Sequence, residues 1–129
     1  MIVVDASFLL HAFLDSAVDP SYLNILETKG DLIAPHHIDL EFINAVRRQL
    51  RLKLITEGRA NQAISDFNIL VIERFATTHL SVVIWSMRDK FTPYDAAYVA
   101  LAESLAIPLL TRDQKLIAAI KAHTTIDLI

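Results

Sequence analysis

Short apolar runs alternate with longer stretches of helical periodicity along this chain. Ile2-Val3-Val4 is β-branched and ends at Asp5, the pattern of a short buried strand. Residues 6–14 read as an apolar helix. Asp19 as a cap and Pro20 at the first helical position predict another helix, closed by Gly30. Leu32-Ile33-Ala34, just before Pro35, reads as a second strand. From about residue 37 to 54 the spacing is helical again. Ile38, Phe42, Ala45, Val46, Leu50 and Leu52 share one broad arc, and Arg47, Arg48 and Arg51 lie off it. Glu41 sits at the edge of that arc, on the side of Arg48. Thr56 is placed to cap a helix carrying Ala60, Ala63, Ile64 and Phe67. Leu70-Val71-Ile72 reads as a third strand, and Thr77 or Thr78 opens a helix with Leu80, Val83, Ile84 and Met87 on one face.

The most distinctive stretch is Thr92-Pro93-Tyr94-Asp95-Ala96-Ala97-Tyr98-Val99-Ala100-Leu101-Ala102. Thr92 is a good N-cap and Pro93 suits the first helical position. Beyond Asp95 the stretch is apolar nearly all the way round, which predicts a helix buried on more than one side. Pro108-Leu109-Leu110-Thr111 reads as a strand, Asp113 caps a helix to about residue 122, and a last strand is expected over residues 125–129. Strands alternating with helices predict the α/β class, built from βα units around a parallel sheet. Ligands in such sheets bind outside the carboxyl ends of the strands. Asp5 follows the first strand directly and Asp113 follows the fourth by two residues.

Composition narrows the picture. The 129 residues suit one domain, residues 1–129, with a sizeable core. A net charge of −3 excludes a broadly basic nucleic-acid coat but leaves room for a local basic rim. The absence of cysteine excludes disulfides, thiolate metal sites and a cysteine nucleophile. The chain reaches an acid too soon for a signal peptide. No apolar run approaches the roughly 18 residues of a membrane-crossing helix, the longest being residues 96–102. A hydrophobic share of 53% therefore belongs to a core, or to a surface that another chain covers. These features describe a cytoplasmic protein that oligomerises or holds a hydrophobic partner.

The candidate chemistry lies in Asp5, Glu41, Asp95 and Asp113. Each has an ordinary reading as well. Asp95 answers the helix dipole, Asp113 is a good N-cap, and Glu41 beside Arg48 makes a surface ion pair of little worth. Asp5 is harder to account for, because an anion at a strand end near a core is costly without cations or donors. Four carboxylates meeting without local cations would raise one another's pKa. A divalent cation relieves that repulsion, and oxygen-only ligands favour Mg²⁺ or Mn²⁺ over zinc. Among the histidines, His36 and His37 point apart, and His11, His79 and His123 show no ligand spacing. They read as structural or surface residues. Ser7 and Thr111 are placed to support Asp5 and Asp113, or serve as plain turn and capping hydroxyls. Trp85 and the tyrosines read as core or interface aromatics. No phosphate-binding glycine loop or nucleophile elbow is present, and the only glycines are Gly30 and Gly58.

Val3-Val4-Asp5-Ala6-Ser7, Leu40-Glu41-Phe42-Ile43-Asn44-Ala45, the stretch from Thr92 to Ala102, and Leu110-Thr111-Arg112-Asp113 resemble the PIN-domain ribonucleases. In particular they resemble the VapC toxins of VapBC toxin–antitoxin pairs, in order and spacing across essentially the whole chain. The resemblance implies a three-layer α/β/α sandwich whose central parallel β-sheet gathers the acids. It implies Mg²⁺- or Mn²⁺-dependent endonucleolytic cleavage of RNA, and a VapB-like antitoxin whose C-terminal segment blocks the pocket. Catalytic and metal-binding positions carry over to Asp5, Glu41, Asp95 and Asp113, with Ser7 and Thr111 in support. Some relatives carry a further acid after the fourth, whereas Gln114, Lys115, Leu116 and Ile117 follow Asp113 here. That departure bears on whether a second ion is held before substrate arrives.

Arg47, Arg48, Arg51, Arg112 and Lys115 are candidates for a positive rim that engages RNA phosphates, or are solvated helix faces. Two other functional classes stay open on the residues alone. A phosphotransfer domain of similar layout is one. Its dehalogenase-like form needs a second Asp where Ser7 stands, and its receiver-like form needs a mid-chain acceptor Asp that is not evident near residues 70–73. A catalytically silent interaction module is the other, and the intact acids argue against it. In each case the apolar content predicts a homodimer and a hydrophobic groove for a partner helix.

Overall fold

The alternation of strands and helices holds in three dimensions. The computed structural model describes residues 1–14, 24, 25, 27 and 30–129. β1 (Ile2–Val4) leads to α1 (Ala6–Leu14), β2 (Leu32–Pro35), α2 (Ile38–Arg51), α3 (Glu57–Ile69) and β3 (Ile72–Phe75). A 3-10 turn (Thr78–Leu80) precedes α4 (Ser81–Ser86), and α5 (Pro93–Leu105), β4 (Leu109–Leu110) and α6 (Gln114–His123) complete the order. Most of the helix expected from Asp19-Pro20 lies outside the described residues, though Asn24, Ile25 and Glu27 are helical.

The four strands are all parallel and run in the order β3-β2-β1-β4. Val3 stands opposite Ile33 on one side and Leu109 on the other. Every residue of β1 and β2 is buried, as befits a parallel sheet covered on both faces. Helices α1, α2 and α3 pack on one another, and α5 lies against β1, β2 and β4. The result is a three-layer α/β/α sandwich. Residues 96–102 of α5 are all buried, and four of them are alanines that let the helix lie close to the sheet. Phe42 of α2 and Phe67 of α3 stack with centroids 4.3 Å apart, worth about 0.5–1.5 kcal/mol beyond their area burial.

From β1 the chain moves to β2 on one side and later to β4 on the other. The carboxyl ends of β1 and β4 therefore flank the point where strand order reverses, the usual place for a ligand crevice. Asp5, Thr111 and Asp113 all stand at that point.

Several local expectations change. The third strand runs over Ile72–Phe75 rather than Leu70-Val71-Ile72, because Leu70 still closes α3 and Val71 is 86% exposed. Arg74 of that strand is held bidentately by Asp39, at 2.7 and 2.8 Å, a pairing across 35 residues with no local signature. Helix α2 buries only Ile38, Phe42 and Val46, while Leu50 and Leu52 emerge on the surface as the helix ends. The helix expected from Thr77 or Thr78 is split into the 3-10 turn and the short α4, which buries none of its residues. Trp85 is 67% exposed and is no core residue. Residues 125–129 contribute a single bridge, Leu128 beside Leu109, rather than a strand.

Candidate active site

Asp5 closes β1 and begins α1, and it is 5% exposed. Its Oδ1 accepts from Phe8 N at 3.0 Å and Ser7 Oγ at 2.7 Å, and its Oδ2 accepts from the Thr111 hydroxyl. Ser7 Oγ in turn accepts from Arg112 N at 3.0 Å, and Thr111 Oγ1 from Asp113 N at 3.1 Å. Each hydroxyl donates a hydrogen bond to Asp5 and accepts one from the backbone after β4. The ends of β1 and β4 are thus tied together through one buried anion. Burial nevertheless pushes the Asp5 carboxyl up to about 6, against the three hydrogen bonds, and the charge of Asp113 adds to the rise.

Asp95 occupies the first turn of α5. Its N–H donates to the Thr92 hydroxyl at 3.2 Å, the expected cap. Burial raises its pKa, and the charges of Asp113 and then Glu41 raise it further, against Thr92 and His37. Asp113 caps α6, its Oδ1 accepting from Lys115 N at 3.0 Å and Leu116 N at 3.2 Å. Its ordinary reading as a cap is correct, and its charge is also close enough to be felt by both Asp5 and Asp95. The charge of Asp113 thus reaches Asp5 and Asp95, and that of Glu41 reaches Asp95.

Glu41 departs from its expected partner. Instead of pairing with Arg48, its Oε1 accepts from the Tyr98 hydroxyl at 2.7 Å and lies 3.0 Å from His37 Nε2. Sequence reasoning set His37 among surface or structural residues and Tyr98 among core aromatics. The available signals were the four-residue spacing of His37 and Glu41, and Tyr98 lying three residues after Asp95 on one helix. Burial and the neighbouring Glu41 hold the Tyr98 hydroxyl firmly in its protonated form.

A depression of about 470 Å³ is lined by His37, Leu40, Glu41, Asn44, Tyr94 and Asp95, among others. It adjoins a second, which shares Glu41 and Asn44 and includes Arg48 and Gln49. A third shares Leu10 and Gln49 with that one and reaches Ser7. These adjoining depressions make a groove along α2, lined among the four acids by Glu41 and Asp95. Of the five basic candidates only Arg48 lines it. Arg47 and Arg51 are exposed elsewhere on α2, and Arg112 and Lys115 are exposed on either side of Asp113.

Among the described residues, no three His, Asp or Glu side chains are gathered as a ready cage for a metal ion. The donor chemistry still suits a hard dication: carboxylate oxygens, no thiolate, and two acids, Asp5 and Asp95, whose proton affinity burial and neighbouring charge already raise.

Comparison with known proteins agrees with this architecture. The PIN domain model matches residues 2–122. Ribonuclease VapC1 of Mycobacterium tuberculosis is 36% identical over 118 residues, spanning 91% of this chain and 89% of the relative. Ribonuclease VapC12 of the same organism is 31% identical over 130 residues, spanning 100% and 99%. The crystal structure of PAE2754 from Pyrobaculum aerophilum shares the fold, with a TM-score of 0.74 at 23% identity over 98% of this chain and 81% of that one. The chain belongs to the PIN-domain family, in its VapC branch.

Proposed function

We propose that the protein is a Mg²⁺- or Mn²⁺-dependent endoribonuclease, a single domain over residues 1–129, acting as the toxin of a type II toxin–antitoxin pair. The observation that carries this reading is the buried Asp5 carboxylate at the end of β1, tied through Ser7 and Thr111 to the turn that carries Asp113. Asp5 and Asp95 would hold the principal ion, with Glu41 and Asp113 completing the shell. Bound there, the ion would polarise the scissile phosphate and lower the pKa of a water. Ser7 and Thr111 keep Asp5 oriented by donating hydrogen bonds to it. Glu41 and Asp113 would orient the attacking water. Arg48 would meet the RNA backbone in the groove, and Arg47, Arg51, Arg112 and Lys115 would draw RNA toward it from the rim. Looped or single-stranded RNA suits a site that needs an exposed backbone.

Leu40 and Tyr94, 71% and 63% exposed in the groove, offer apolar surface to an antitoxin segment. Val82 and Trp85, 80% and 67% exposed on α4, suit burial against a second copy. No helix among the described residues is long and apolar enough to cross a membrane. A cytoplasmic, homodimeric toxin held by a VapB-like antitoxin accounts for these surfaces. Incubating the protein with a mixed RNA pool tests the activity. Discrete cleavage products are expected with Mn²⁺ or Mg²⁺ and none with chelator. Equal cleavage in chelator, or none with either ion, contradicts the reading.

A further inference from the structure

His37 stands at the N-cap position of α2, where Ser, Thr, Asp or Asn would ordinarily accept a hydrogen bond from a free helix N–H. Its side chain makes no such bond. Its Nε2 instead faces two oxygens, the Tyr94 carbonyl at 3.2 Å and Glu41 Oε1 at 3.0 Å. A carbonyl oxygen only accepts, so Nε2 carries its hydrogen toward Tyr94 and is a donor rather than a metal ligand, with the Glu41 oxygen beside that N–H. The ring is held edge-on by Tyr94 and Tyr98, with centroids 5.9 and 5.2 Å away. Tyr98 is 1% exposed and directs its hydroxyl to the same Oε1 at 2.7 Å.

Both groups that grip Glu41 are thereby anchored to α5, the helix that carries Asp95. Tyr98 is one turn beyond Asp95, and His37 is fastened to the carbonyl of the residue before it. Both contacts are made to Oε1. A local capping rule is broken at His37, and the compensation is a link between two acids on different helices.

We infer that His37 and Tyr98 are positioning residues, which occupy one oxygen of Glu41 so that the other is presented, in fixed register with Asp95, to the divalent cation. This rests on the metal-dependent reading above. Groups that orient a ligand from outside the coordination shell typically change metal affinity or activity by about 10–100-fold when removed.

The test is calorimetric titration of Mn²⁺ into metal-free protein: the parent, Tyr98→Phe, His37→Ala, His37→Gln, and Asp5→Asn as reference. Tyr98→Phe keeps the ring and removes only the hydroxyl, and thermal melting confirms that each variant is folded. Should Tyr98→Phe fail to fold, the half-buried His37 provides the independent trial. Tyr98→Phe and His37→Ala are each expected to bind Mn²⁺ roughly tenfold more weakly than the parent. His37→Gln, whose amide N–H can replace Nε2–H, is expected to recover most of the affinity. In RNA cleavage at fixed Mn²⁺, kcat should fall with KM nearly unchanged. Parent-like Mn²⁺ affinity in both Tyr98→Phe and His37→Ala overturns the inference and leaves the metal-dependent reading standing. A parent that binds no Mn²⁺, or binds it no better than Asp5→Asn, overturns both.

Discussion

Asp5→Asn is expected to lower RNA cleavage by at least about 100-fold at saturating Mn²⁺, and Asp95→Asn to do the same. The substitution is nearly isosteric. At position 5 the amide oxygen can still accept from Phe8 N and Ser7 Oγ, so the turn after β1 survives. What is lost is the negative charge at the meeting point of β1 and β4, and with it the attraction for a dication. A structural role alone predicts an active variant, since Ser7 also ties the two turns together by accepting from Arg112 N. Cleavage rates measured with both variants over a range of Mn²⁺ decide the matter. Parent rates in both would remove the acids from the chemistry.

The second large effect concerns stability against pH in chelator. An unfolded Asp titrates near its ordinary 3.8, whereas in the fold Asp5 is pushed up to about 6. Well below pH 3.8 the group is protonated in both states and imposes no penalty. As pH rises through the interval between the two values, the unfolded chain releases the proton first, and folding stability falls. Above about 6 the whole cost is present, on the order of 2–3 kcal/mol for a shift of this size. Asp95, raised in the same direction, adds to the slope. Urea unfolding of the parent from about pH 4 to about 7.5 should therefore show declining stability. Asp5→Asn should flatten the decline and make the metal-free protein more stable than the parent at the upper end of that range. A parent whose stability rises over the interval would mean that favourable contacts of the Asp5 anion outweigh its burial. Saturating Mn²⁺ should reverse the trend in the parent, because an ion that binds only the folded state stabilises it by mass action.

The apolar pattern carried most of the fold because a doubly covered parallel sheet demands uninterrupted hydrophobic strands. Ile2-Val3-Val4 and Leu32-Ile33-Ala34 have no other plausible use. β3 was harder to place, since it is an edge strand with only Ile72 buried, and Arg74 is satisfied there by a distant Asp39. Leu50 and Leu52 fit a helical stripe but have no neighbouring element among the described residues to cover them at the end of α2. For the candidate site, Asp5 and Asp113 were legible from their places after strands, and Asp95 from its cap. The partners of Glu41 were not. Tyr98 lies 57 residues away, and its burial made an aromatic core role a sufficient explanation. The competing pairing with Arg48 was local, and local spacing cannot reveal a buried hydroxyl on another helix.

The proposed chemistry depends on acids from β1, α2, α5 and the turn after β4 sharing one divalent cation. Anomalous X-ray scattering from a crystal soaked in Mn²⁺ locates that ion without reference to activity. One dominant peak is expected between the carboxylates of Asp5 and Asp95, absent from Asp5→Asn crystals. A peak elsewhere on the molecule, or none at saturating Mn²⁺, would contradict a shared metal site.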